Sequence, residues 1–212
     1  MSAPPLVSDE EVYSLSPAEL RFREACQFYA LFKRYHGPDA GLKGNRFLWM
    51  CYVDAFLTAI VSVKDLTSLR SQLNASDAFR FIVVMRNITA HQAVVSVASS
   101  VSMVVRDIHV QAGAHNPDRP DHEMPILAAS KIATALTNYE AQLRAQDVRT
   151  NKHTGKTTSM WDREGGNVRG ALRWNAKLAA LPEPRVPLSD AFLEVINFVA
   201  KVCGFIVPAL GG

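Results

Sequence analysis

Cysteine is scarce in this chain. Its three residues, Cys26, Cys51 and Cys203, each sit in an apolar run and none forms a CxxC pair. An odd, scattered set excludes a disulfide framework and reads as reduced core thiols of a cytoplasmic protein. Charge of one sign is also lacking. The formal net charge is only +3 over 212 residues, too little to demand a nucleic-acid partner by itself. The segment MSAPPLVSDEEVYSL is acidic and has no apolar signal core, so no export signal is expected. The longest uncharged run, Asn87–Val105, contains Asn87, His91, Gln92 and several serines. It is too polar for a membrane span, and no membrane partner is expected. There is no internal repeat. His109, His115 and His122 are separated by a proline-rich loop without zinc-like spacing, so neither a metal nor another cofactor is expected. Gly155-Lys156-Thr157-Thr158 is like the end of a phosphate loop. Thr150 stands where that loop needs its upstream glycine, and no apolar strand precedes it, which excludes an NTPase.

What is present is apolar residue at helical spacing. The chain is 48% hydrophobic and 20% charged, enough for a substantial core in one domain over 16–212, behind a flexible arm at 1–15. Ser16-Pro17-Ala18-Glu19 is a capped helix start, and the helix runs to about Tyr35, where His36-Gly37-Pro38 ends it. A second helix is predicted from about Asn45 to Leu73, with Tyr52, Phe56, Ala59, Val63, Leu66 and Leu73 near heptad spacing. Asn74-Ala75-Ser76-Asp77 breaks the chain, and a third helix follows to around Gln92. In Ala93–Val110 the density of β-branched residues favours strands, a hairpin bent near Ser99-Ser100, over a continued helix. Residues 126–146 read as an amphipathic helix through Ile126, Leu127, Ile132, Leu136, Tyr139 and Leu143. Residues 147–185 read as a long polar excursion with a short helix near 168–180. The last helix, Leu188–Val207, is apolar except for one stripe of Asp190, Glu194, Asn197 and Lys201, so it belongs in the core or against a partner. The fold class is mainly α: an antiparallel bundle of about five helices with a small β-hairpin after the third.

The excursion is basic. Residues 146–185 hold eight Lys/Arg against four Asp/Glu, a balance of +4. Arg149, Lys152, Lys156, Arg163, Arg169 and Arg173 are candidates to follow a phosphate backbone, although a basic bias without a motif is more often a solvated surface. Trp161 and Trp174 could stack on bases or simply anchor the segment.

The sharpest chemistry lies in Phe81-Ile-Val-Val-Met-Arg-Asn-Ile-Thr-Ala-His-Gln92. Here an apolar helix abruptly carries Arg86, Asn87 and His91. Asn87 and His91 are one turn apart on one helix face. A guanidinium grips phosphate by paired hydrogen bonds, and an imidazole moves protons near neutral pH. Arg86 and His91 diverge by about 140° on an ideal helix. The same three residues could also form a hydrogen-bonded polar cluster with no chemistry.

Arg86-Asn87-Ile88-Thr89-Ala90-His91 resembles the signature of the HEPN superfamily: an arginine, a polar neighbour, and a histidine further along the same helix. The resemblance covers roughly residues 16–146 and includes a long second helix antiparallel to the motif-bearing third. It implies a metal-independent endoribonuclease of the bacterial toxin or defence type, with RNA as substrate. His91 would be the general acid or base and Arg86 would hold the scissile phosphate. Asn87 would orient His91 or bind the phosphate. The resemblance also implies a homodimer with both motifs at its interface, and an antitoxin or regulatory protein as a further partner. The alternative within the family is a non-catalytic dimerisation or partner-binding module.

Overall fold

The computed structural model describes residues 13–36, 46–95, 126–145, 149–150, 155 and 157–210. Among them the chain is mainly helical, with seven helices and four short strands. They form two compact units. The first holds α1 (Pro17–His36), α2 (Arg46–Leu66), α3 (Arg70–Leu73) and α7 (Leu188–Cys203). The second holds α4 (Asp77–Val95), α5 (Ala129–Ala145) and α6 (Met160–Ala179). The strands β1 (Ile126–Ala128), β2 (Arg149–Thr150) and β3 (Thr157–Thr158) also belong to it, with most of β4 (Arg185–Pro187). No helix of the described residues is long and apolar enough to cross a membrane.

In the first unit α1 starts as its sequence dictates. The Ser16 hydroxyl accepts from the Glu19 amide at 3.2 Å. The Glu19 carboxylate turns to Arg23, 3.5 Å away. The predicted second helix is shorter than its heptad pattern. It stops at Leu66, and Thr67 Oγ1 accepts from the Leu69 amide at 3.3 Å, a local bond that competes with the helical ladder. Register is lost there: Leu66 is 49% exposed, while Leu73, in the single turn α3, is buried. Aromatic side chains join the helices, with Phe56 stacked on Phe192 at 4.0 Å and Phe32 tilted against Phe192 at 5.7 Å.

Helix α7 follows the sequence closely. Asp190, Glu194, Asn197 and Lys201 are all exposed, and Leu188, Ala191, Phe192, Val195, Ile196, Val199 and Ala200 are buried. It ends at Cys203 rather than Val207. Gly204 adopts φ 71°, the left-handed cap, and the Phe205 amide donates to the Ala200 carbonyl at 3.0 Å. That closure returns the chain and lays Phe205 against Phe22, ring centres 5.3 Å apart.

The second unit is built on α6, which packs against both α4 and α5. The sequence reading treats this stretch as an excursion with a short helix, and the structure corrects it to a helix of 20 residues. Ser159 and Asp162 form a complete capping box, each side chain bonding the other's backbone amide at 3.0 Å. Val168, Ala171, Trp174 and Leu178 form its buried stripe. Helix α4 starts where expected, with the Ser76 hydroxyl accepting from the Phe79 amide at 3.2 Å. It continues through Ala93–Val95, the first residues of the segment predicted as strand; the rest of that segment lies outside the described residues. The small antiparallel ladder is formed by β2 and β3. The Gly155 of the phosphate-loop look-alike has φ 63° and lies between these two strands. Only glycine takes that angle without strain, so its role is conformational. In the amphipathic segment at 126–146 the first three residues are strand β1, which pairs with β4, and the helix starts at Ala129.

Candidate functional site

Helix α4 brings Arg86 and Asn87 to the face packed by α5 and α6. Asn87 is 7% exposed, a buried amide that follows the apolar run Phe81–Met85. Such a group needs partners, and it has them at both ends. Its Oδ1 accepts from Arg86 Nη1 at 3.2 Å, and its Nδ2 donates to Glu164 Oε2 at 3.1 Å. Glu164, on α6, takes a second amide on the same oxygen, from Asn167 Nδ2 at 3.0 Å. The row Arg86–Asn87–Glu164–Asn167 therefore crosses from one helix to the next.

Tyr139, on α5, closes the buried side. It is 4% exposed, and among the described residues its hydroxyl has no partner in hydrogen-bond geometry. Burial pushes its pKa up to about 12, and the nearby Glu164 carboxylate adds to the rise. The neighbouring Asn87 amide and Arg86 act the other way. At neutral pH the hydroxyl keeps its proton.

Arg86 and Glu164 are half-buried and opposite in charge, yet they do not pair. Among the described residues Arg86 has no carboxylate partner and Glu164 no cation. Asn87 stands between them and bonds each. Among the described residues both charges keep open hydrogen-bonding capacity: most of the Arg86 N–H donors, and Glu164 Oε1.

His91 lies one turn beyond Asn87 on the same helix. Side chains from Thr89 to the end of that helix lie outside the described residues. Of the residues singled out in the sequence, Arg86 and Asn87 bond each other, while Glu164, Asn167 and Tyr139 carry no mark there. Glu164 and Asn167 lie in the stretch read as an excursion. Only after 160–179 is recognised as a helix does their spacing of three place both on one face.

The basic candidates divide. Arg149 is in β2, and Lys152 and Lys156 lie outside the described residues. Arg163 and Arg169 are exposed on α6. The Arg173 guanidinium is committed to Asp77, with Nη2 at 2.7 Å from Oδ1 and Lys177 adding a contact at 3.5 Å. That guanidinium holds the Asp77 carboxyl below its ordinary pKa against the opposing effect of burial. Trp174 is buried and stacked on Phe81 at 4.2 Å, so it is a core residue. Trp161 lies across Gly165, where a Cβ would fall 2.9 Å from the indole. The Arg144 guanidinium sits 3.8 Å from its ring centre, and Arg169 lies 5.7 Å away. This is an arginine-covered anchor between α5 and α6.

Compared with family models, curated proteins and solved structures, the chain has no match.

Proposed function

We propose that the second unit carries an RNA-processing site of the HEPN kind, a metal-independent endoribonuclease built on Arg86, Asn87 and His91. The observation that supports it is the state of Arg86: a half-buried guanidinium fixed by a buried amide, with no carboxylate neutralising it among the described residues. A cation held so is ready for an anion, and phosphate is the anion that a guanidinium fits by paired bonds. In this reading Arg86 holds the scissile phosphate and stabilises the charge that develops on it. His91 moves a proton at the ribose 2′-hydroxyl or at the leaving 5′-oxygen. Asn87 holds Arg86 in place. Exposed Arg163 and Arg169 extend the grip along the strand. Two copies of the chain complete the site at a dimer interface, and a toxin or defence role, with its regulatory partner, follows from the family resemblance alone.

A second reading has its own support. Both ends of the Asn87 amide are satisfied inside the fold, as they would be in a non-catalytic HEPN-like module that uses the cluster only to fix three helices. Incubating mixed RNA in EDTA with the wild type, His91→Ala and Arg86→Ala separates the two. The nuclease reading expects cutting by the wild type alone, leaving 2′,3′-cyclic phosphate ends. Folded proteins that all leave RNA intact support the module.

A further inference from the structure

The open acceptor of the cluster is as informative as its open donor. Asn87 and Tyr139 are buried, so an incoming molecule meets Arg86, Glu164 and Asn167, which are half-exposed. Asn167 spends a donor on Glu164 Oε2, and Asn87 spends another on the same oxygen. Glu164 Oε1 is left with no donor among the described residues. A ligand that suits this pair of charges carries an anionic group for Arg86 and a hydrogen-bond donor for Glu164. They must lie only a few ångströms apart, because one amide spans the gap between guanidinium and carboxylate.

A ribonucleotide has that arrangement: the 3′-phosphate and the 2′-hydroxyl sit on neighbouring ribose carbons. We propose that Glu164 accepts the ribose 2′-hydroxyl of the nucleotide whose phosphate Arg86 holds, making Glu164 the residue that selects RNA over DNA. The inference rests on the RNA reading above. Its physical basis is asymmetric. With RNA the carboxylate gains a charge-assisted hydrogen bond. With DNA the same carboxylate stands beside a phosphate without a proton to accept, and like charges face each other. The 2′-hydroxyl is the group by which a protein can tell the two nucleic acids apart at one site.

The test is binding rather than cleavage. A labelled single-stranded RNA oligomer and the DNA oligomer of the same sequence are titrated, in EDTA, into His91→Ala protein. The same titrations are made with Glu164→Gln and Glu164→Ala added to that background. The expected result is tighter RNA binding by roughly tenfold, the lower end for a hydrogen bond to a charged group. Glu164→Ala should bring the RNA-to-DNA ratio to about one, by weakening RNA and leaving DNA equal or tighter. Glu164→Gln guards against loss of the fold, because its oxygen still serves the Asn87 and Asn167 amides; its N–H can donate to the 2′-hydroxyl oxygen, so it should lower the ratio without abolishing it. A folded Glu164→Ala or Glu164→Gln protein that keeps the full RNA preference overturns the inference. If Arg86→Ala then weakens both strands, the RNA reading itself survives. Failure of every protein to bind either strand removes the RNA reading and this inference with it.

Discussion

An ionised carboxylate only accepts hydrogen bonds and a guanidinium only donates them. Between Glu164 and Arg86 the Asn87 amide therefore has a single orientation, with nitrogen toward Glu164 and oxygen toward Arg86. Truncating that amide leaves both neighbours short of a partner in a half-buried place. Asn87→Ala should cost about 1–3 kcal/mol, read as a lower urea midpoint with unchanged slope; a loss under about 0.5 kcal/mol would mean that the amide does not organise the cluster. Tyr139 is the opposite case. Its hydroxyl is buried and meets no hydrogen-bond geometry among the described residues, and the Asn87 amide beside it acts on it only weakly, so its desolvation is poorly offset. Tyr139→Phe keeps the ring and removes the burden. It should leave stability equal or raise it by up to about 1 kcal/mol in the same urea experiment. Clear destabilisation would reveal that the hydroxyl has a partner. Two of these residues were legible in sequence, because a polar pair inside Phe81–Met85 and Ile88 stands out at once. Tyr139 was not, since an amphipathic helix gives a buried tyrosine no mark that separates packing from chemistry.

At the scale of elements the main lesson is α6. Glycine lowers helix propensity by about 1 kcal/mol per residue, and this stretch has Gly165, Gly166 and Gly170 among many polar residues. Local propensity therefore argues against a long helix, and tertiary packing overrides it. Gly165 leaves room for the Trp161 indole. Gly170 lets α4 come close: a Cβ there would lie 2.8 Å from Cβ of Arg80 and 3.1 Å from its Cγ, while Arg80 Nη1 reaches the Gly166 carbonyl at 3.4 Å. Gly170→Ala should therefore destabilise by about 1–3 kcal/mol despite its better helix propensity. Arg80→Ala removes the Cγ and Cδ conflicts but keeps the Cβ 2.8 Å away, so it should recover only part of that loss in the double variant. Additive losses in that double-mutant cycle would show that the two side chains are not in conflict. The other helices were readable because their apolar spacing and caps agree. Ser16, Ser76 and the stripe of α7 announce themselves, and at the misplaced end of the second helix the Thr67 hydroxyl accepts from the Leu69 amide.

For the whole molecule, proton linkage connects these local facts to stability at both ends of the pH scale. The Asp77 carboxyl is held below its ordinary pKa of 3.8, chiefly by its hydrogen bonds from Arg173. A lowered folded pKa means that the unfolded chain binds the proton first as acid is added. Its contribution is present above the unfolded value and is lost as pH falls through the folded one. Exposed partners keep that contribution small. The alkaline side carries more. Burial pushes the Cys26 thiol from 9.0 up to about 12, with Arg23 pulling the other way, and the Tyr139 hydroxyl from 10.0 up to about 12. Raised values give stability that is complete below the unfolded pKa and is lost as pH rises to the folded one. Unfolding free energy measured in urea should thus be flat to about pH 9 and then fall, each group adding a slope of at most about 1.4 kcal/mol per pH unit. Height and slope separate cavity effects from linkage: Cys26→Ala lowers stability at every pH, while only the lost titration makes the curve shallower from pH 9 upward. Tyr139→Phe should flatten it from pH 10 upward without a uniform loss. An alkaline fall equally steep in a protein carrying both Cys26→Ala and Tyr139→Phe would place its origin in other groups, and would mean that water reaches both side chains more freely than their burial implies.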